Sequence, residues 1–265
     1  MIRVDNITTA ITCAGNERVN DMYATALNIL ANTTNNEVFI HFNTEALSEE
    51  AVDRLKTLMH LAEHNSNILK PRFWPERTPL AHMHMHTIDQ GTRKFWLSVD
   101  DDVFIPYKTL NLLNQTANQL YPNSLLYLYT FFEVINRRGY KDYHPQKIML
   151  GKPTGNLLLE INQYARTPLH RNYEIPDSPE FITMKDLYCG SFMVNREYLC
   201  KRQDVLNELE DWKKGKRGVD KYICQAVTSR PQWIYGSTAY HTDCTRATID
   251  NKLWTEDMDG GSIVP

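Results

Sequence analysis

Trp96-Leu97-Ser98-Val99-Asp100-Asp101-Asp102-Val103-Phe104-Ile105 is the stretch whose reading decides the fold. Three consecutive carboxylates between two apolar runs do not form an ordinary solvated charge run. Lys94 to Val99 (KFWLSV) is β-rich and apolar, which predicts a central strand. Such a strand delivers its last residues to the carboxyl edge of a sheet, where open α/β folds place ligands. If the backbone stays extended, Asp100 and Asp102 point to one side and Asp101 to the other. Two convergent carboxylates suit a hard divalent cation, Mn²⁺ or Mg²⁺, whose remaining positions go to water or phosphate oxygens. The competing role is structural: Asp residues capping the helix that Pro106 opens. The tripled Asp behind an apolar strand favours the metal reading.

Working outward, strand-like and helix-like segments alternate through the first half. That pattern predicts βαβ units and a mostly parallel central sheet flanked by helices. Ile7 to Cys13 reads as the opening strand. Gly15 and Asn16 turn the chain into a helix over about 17–31, whose buried face would carry Val19, Met22, Tyr23, Ala26, Leu27 and Leu30. Glu37 to Phe42 is a second strand. Ser48 caps a helix running to about Leu61, with Glu49 and Glu50 at the positive end of its dipole. Thr78-Pro79 opens another helix, which Gly91 ends. Leu125 to Phe132 is a further buried strand. Residues 136–179 read as long loops around a short helix near 156–164. Leu187 to Val194 reads as a strand, Arg196 to Lys214 as one long helix, Asp220 to Thr228 as a shorter one, and Gln232 to Tyr240 as one or two strand pieces.

Bulk properties narrow the function classes. The 265 residues carry a formal net charge of −3, so a polyanion partner would need a local basic patch. No apolar run approaches the roughly 20 residues of a membrane-spanning helix, and the amino terminus lacks the pattern of a secretory signal. Cys13, Cys189, Cys200, Cys224 and Cys244 are an odd, scattered set. They read as reduced, buried thiols in a cytoplasmic protein rather than a disulfide framework or zinc site.

Strand, Asp-x-Asp, apolar residues and helix, in that order, resemble the metal motif of GT-A-fold glycosyltransferases; VDDDVFI resembles the triple-Asp version of Fringe-type enzymes. Ile11 to Val19 (ITCAGNERV) is similar to that superfamily's first strand and nucleotide loop. Tyr188-Cys189-Gly190-Ser191-Phe192, Gly218-Val219-Asp220-Lys221 and Tyr240-His241 follow in the family's order and are similar to its donor-sugar loop, its acidic residue at a helix start and its late histidine. The resemblance spans residues 7 to 241 by order of elements. It implies a single domain over residues 1–265, with a Rossmann-like nucleotide-sugar half (1–105), an acceptor half (106–241) and a tail (242–265). It implies transfer from a nucleoside-diphosphate sugar, UDP by default, to an acceptor hydroxyl. Asp102 would ligate the metal, with Asp100 and His241 near it. Thr12, Ala14, Arg18, Asn43, Asp100, Asp101, Gly190 and Ser191 would contact the donor. His41-Phe42-Asn43-Thr44 stands where many members carry an acidic pair; Asn43 would still hydrogen-bond a uracil.

Asp220 is the candidate general base of an inverting transfer, which needs a carboxylate within reach of the attacking hydroxyl. Its bland alternative is a helix cap. The basic loop Lys213, Lys214, Lys216 and Arg217 immediately precedes it. That loop reads either as cations at a helix carboxyl end or as a binding patch for an anionic acceptor. The acceptor is expected to be a saccharide or glycolipid. The alternative is a hydroxymethylated DNA base, as for phage-type and base-J-type transferases. A non-catalytic sugar-nucleotide-binding or lectin-like module is the rival of another class. His82, His84 and His86 lack a zinc spacing and are not expected to bind metal.

Overall fold

The computed structural model describes residues 1–13, 15–117, 119–133, 147–148, 181–183, 191–213, 219–228 and 232–242. Its elements are β1 (Ile2–Arg3), β2 (Ile7–Cys13), α1 (Val19–Asn32), β3 (Thr33–Thr34), β4 (Glu37–Phe42), α2 (Glu49–His64), β5 (Ile68–Phe73), α3 (Leu80–Gln90), β6 (Phe95–Asp100), β7 (Val103–Phe104) and α4 (Tyr107–Ala117). They continue with β8 (Leu125–Glu133), β9 (Lys147–Ile148), β10 (Phe181–Thr183), β11 (Phe192–Asn195), α5 (Arg196–Cys200), α6 (Gln203–Trp212), α7 (Val219–Val227) and β12 (Gln232–Thr242).

The main sheet runs β10-β12-β8-β11-β6-β2-β4-β5. Strands β5, β4, β2 and β6 are mutually parallel, β11 and β10 are antiparallel to their neighbours, and β8 pairs β12 in parallel. From β2 the chain first steps outward to β4 and β5, then returns through α3 to β6 on the other side of β2. The direction of winding reverses between β2 and β6, which makes their carboxyl ends the topological switch point where open α/β sheets bind ligands.

Alternation along the strands builds two cores. Ile7, Ile11, Val38, Ile40, Phe42, Phe95, Leu97 and Val99 pack beneath α1, α2 and α4. Ala10, Phe39, Trp96, Phe192 and Val194 face α3, α5, α6 and α7. In α1 the expected stripe is present: Val19, Met22, Ala26 and Leu30 are buried, with Tyr23 and Leu27 packed at its margin. Ser48 accepts a hydrogen bond from Ala51 N at 3.2 Å and so caps α2.

Several expectations need correction. The long helix over 196–214 is broken: α5 ends at Cys200 and α6 begins at Gln203, with Arg202 in a non-helical conformation between them. Arg202 is held there by Asp204, by Tyr198 Oη at 2.9 Å and by Ala226 O at 3.2 Å, so its side chain bridges three elements. Strand β5 was not legible because Pro71 interrupts it. It lies at the sheet edge, where a residue without an N–H is tolerated. Pro79 is the cap of α3 rather than its first helical residue. Lys147–Ile148 forms a strand within the stretch read as loops; the short helix expected near 156–164 lies outside the described residues. Cys13 and Cys224 are buried as expected, but Cys200 is exposed, because it ends a short helix on the molecular surface. Cys189 and Cys244 lie outside the described residues.

Candidate active site

At the switch point the strand register sets a row of side chains across the carboxyl edge. Thr12 is paired with Asp100 on β6 and with His41 on β4, and His41 in turn with Arg72 on β5. By strand alternation this row, Arg72–His41–Thr12–Asp100, lies on the α3 side of the sheet.

Beyond Asp100 the backbone turns, so the extended alternation expected across the triplet does not hold. Asp101 and Asp102 instead share one partner. Arg18 Nη2 lies 2.7 Å from Asp101 Oδ1 and 2.5 Å from Asp102 Oδ2, and all three side chains are nearly buried. Arg18 Nε is 3.4 Å from Asp21 Oδ2, an ion-pair contact without hydrogen-bond geometry. Burial opposes the charged guanidinium, but the fields of Asp101 and Asp102 outweigh it and raise its pKa above the ordinary arginine value. The same face of α1 holds the turn's backbone. Thr25 Oγ1 donates to Asp101 O at 2.8 Å, and Asn28 Oδ1 accepts from Ile105 N at 3.0 Å. Arg18, Asp21, Thr25 and Asn28 recur at helical spacing and are all buried. This polar stripe is a sequence signal that a search for apolar periodicity passes over.

His241 is delivered to the same turn. In β12 its backbone pairs with Val103, the residue after Asp102, and Tyr240 pairs with Phe104. Asn43 ties the exits of two strands together: its N donates to Cys13 O at 3.0 Å, and its Oδ1 accepts from Thr78 N at 3.0 Å. Ser191 is buried, and its hydroxyl finds no hydrogen-bond partner among the described residues. Ala14 and Gly190 lie outside the described residues.

Asp220 sits in the first turn of α7, inside the helix rather than at its cap. Its Oδ1 is 2.5 Å from His84 Nε2. Ala81, His84 and Ile88 are buried on α3 at helical spacing, which marks His84 as inward-facing. The imidazole packs against the Trp96 indole at 4.9 Å between ring centroids. Helix α3 runs opposite to the strands. Gly91 at its end abuts Thr8 near the start of β2, while Thr87 Oγ1 meets His41 Nε2 near the end of β4, at 2.8 Å. His84 lies nearly one turn before Thr87 on α3, over Trp96 of β6. Of the basic loop, Lys213 is described and pairs with Glu210 at 2.7 Å. Lys214, Lys216 and Arg217 lie outside the described residues.

Among the described residues no group of three His, Cys, Asp or Glu side chains forms a metal cage. Mg²⁺-type sites that bind phosphorylated ligands make a smaller demand, one or two carboxylates completed by water and phosphate oxygens. The Asp100–Asp102 turn, with Asp101 and Asp102 already engaged by Arg18, can answer the smaller demand and not the larger one.

This architecture, a mostly parallel central sheet flanked by helices, matches the fold of GT-A glycosyltransferase structures. Neither a family model nor a curated protein matches the chain. Among solved structures the chain is similar to S. aureus TarS, at a TM-score of 0.52 and 11% identity over 98% of this chain and 40% of that one. The 1–349 portion of TarS gives 0.51 and 11% over 89% of this chain and 60% of that one. GalNAc-T7, in a crystal structure with UDP, GalNAc and Mn²⁺, gives 0.50 and 10% over 91% and 45%. The chain therefore spans between 40% and 60% of the length of these structures, and at such identities the likeness is one of fold. No helix among the described residues is long and apolar enough to cross a membrane.

Proposed function

We propose that the chain is a metal-dependent glycosyltransferase that moves a sugar from a nucleoside-diphosphate sugar, UDP-linked by default, to a hydroxyl of a saccharide or glycolipid. The carrying observation is the acidic turn Asp100–Asp102 at the switch point of a GT-A fold, clamped by α1 and paired through Val103 with the backbone of His241. Asp102 would ligate Mn²⁺ or Mg²⁺ directly; Asp100, on the other side of the turn, would reach the metal or the ribose through water, and His241 would approach the metal or the diphosphate. Bound there, the cation supplies positive charge against the charge that develops on the departing diphosphate. Thr12, Arg18 and Asn43 would contact the nucleotide, and Ser191 the donor sugar.

Asp220 accepts the proton of the acceptor hydroxyl as that oxygen bonds to the anomeric carbon. The bond from the anomeric carbon to the diphosphate breaks, and its electron pair leaves with the diphosphate. The transfer then inverts configuration. Asp220 keeps 23% of its side chain exposed, so a hydroxyl can reach it. Lys213 pairs with Glu210, and the rest of the basic loop on which a DNA acceptor would depend lies outside the described residues.

Calorimetry with UDP tests the donor half of this reading. We expect binding in Mn²⁺ that disappears in EDTA and in the Asp102→Ala variant, with the variant still folded by circular dichroism. Equal UDP affinity with and without metal would overturn it.

A further inference from the structure

The side-chain pair that joins α3 to α7 has no role in the reading above beyond Asp220 itself. His84 Nε2 lies 2.5 Å from Asp220 Oδ1, across 136 positions of sequence. The two partners differ in access: the His84 side chain is 3% exposed and that of Asp220 23%. His84 is confined further by the Trp96 indole, 4.9 Å away between centroids, and Trp96 is itself packed edge-on against Phe192 at 5.3 Å. A buried imidazole wedged between a helix and an aromatic pair has little rotational freedom. Asp220 lies in the first turn of a nine-residue helix, and among the described residues His84 is the side chain that holds its carboxylate.

We infer that His84 is a positioning residue for Asp220: its Nε2–H donates to Oδ1 and fixes the carboxylate so that the other oxygen faces the acceptor hydroxyl. The inference rests on Asp220 being the base, as proposed above. Exposure decides the direction of the relation. His84 is too buried to meet an acceptor, and its outward nitrogen is spent on Asp220, so it acts through the carboxylate. The bond also requires that Asp220 hold no proton on Oδ1, which is the state a base needs before it reacts. A misplacement of about 1 Å at a reacting group costs on the order of 10²-fold in rate.

The test uses the full chain and hydrolysis of labelled UDP-sugars in Mn²⁺, with water as the acceptor. His84→Leu removes the donor and keeps the bulk; His84→Gln keeps an N–H close to the place of Nε2. We expect His84→Leu to lower kcat by about 10²-fold with the donor KM within twofold, and His84→Gln to recover most of it. The double variant His84→Leu/Asp220→Asn should be no slower than Asp220→Asn. In the wild type, long-range ¹H–¹⁵N correlation should show His84 protonated at Nε2, whether or not hydrolysis is measurable.

If Asp220→Asn is slow while His84→Leu turns over normally, the positioning role is overturned and the base stands. If Asp220→Asn itself turns over normally, the base is overturned, and this inference with it. A His84→Leu loss that glutamine does not recover would reduce His84 to a packing residue. An Nε2 without a proton would place the proton on the carboxyl, which also overturns the inference.

Discussion

His41 shows how the fold fixes a protonation state at a single residue. Trp74 Nε1 donates to its Nδ1 at 3.1 Å, which requires that nitrogen to be bare, and Nε2 is left to meet Thr87 Oγ1 at 2.8 Å. Burial, followed by the fields of His86, His84 and Arg72, pushes its pKa from 6.5 down to about 3. Between those values the unfolded chain binds a proton that the folded chain refuses. Stability is therefore complete above about pH 6.5 and drains as the pH falls toward 3. His41→Asn, whose carbonyl can still accept from Trp74, should flatten that dependence. Urea unfolding at pH 7 and pH 5 measures it, with the wild-type slope steeper by up to about 1.4 kcal/mol per pH unit. Parallel slopes would remove His41 from the account. The same resolution separates the three acidic residues of the switch-point turn. Asp101 and Asp102 are drawn to Arg18 by a buried charge, whereas Asp100, still on the strand, follows the sheet's alternation to the other side.

Among the elements, α3 carries the most consequence, because it places His41's partner, Asp220's partner and the route back to the switch point. Its end is set by a close approach. A Cβ on Gly91 would lie 2.7 Å from Thr87 O, 3.0 Å from Arg196 Cδ and 3.1 Å from Thr8 Oγ1. The first of these is backbone and cannot swing away. Gly91→Ala should cost about 1–3 kcal/mol, as overpacking typically does, and calorimetric unfolding would report it. A variant as stable as wild type would mean that the end of α3 can shift without loss. Strand β4 is pinned from its opposite end by Glu37, buried and bound by Lys70 Nζ at 2.6 Å, Thr92 N at 2.9 Å and Thr8 Oγ1 at 2.5 Å. Burial alone would raise the Glu37 pKa; these hydrogen bonds outweigh it and lower it. That network fixes the amino edge of the sheet, so the carboxyl edge is the side left for ligand.

At the scale of the molecule, the donor site proposed above would be assembled from α1, β2, β4, β6 and β12 and exist only in the folded chain, so donor and metal should stabilise it by mass action. At a hundred times its dissociation constant, a ligand adds about 2.7 kcal/mol. UDP with Mn²⁺ should raise Tm by several degrees, and UDP with EDTA should leave it unchanged. A Tm indifferent to both would remove the donor site.

The sequence by itself determined three strands of the first half almost residue for residue, because each is an apolar run bounded by a turn or a cap: Ile7–Cys13, Glu37–Phe42 and the strand that ends at Asp100. It also determined that an acidic triplet stands at the end of a central strand, since no solvated loop explains those flanks. Tertiary structure alone decided which carboxylates meet. Arg18 lies 83 positions from Asp101, and His84 lies 136 from Asp220; neither pairing leaves a local periodicity to read. It decided the edge strand too, where Pro71 contradicts the local pattern and is acceptable because β5 has no further neighbour among the described residues. Local pattern records what a residue does with its neighbours three or four positions away. A buried charge is satisfied by whatever the fold brings to it, and that partner is chosen in space.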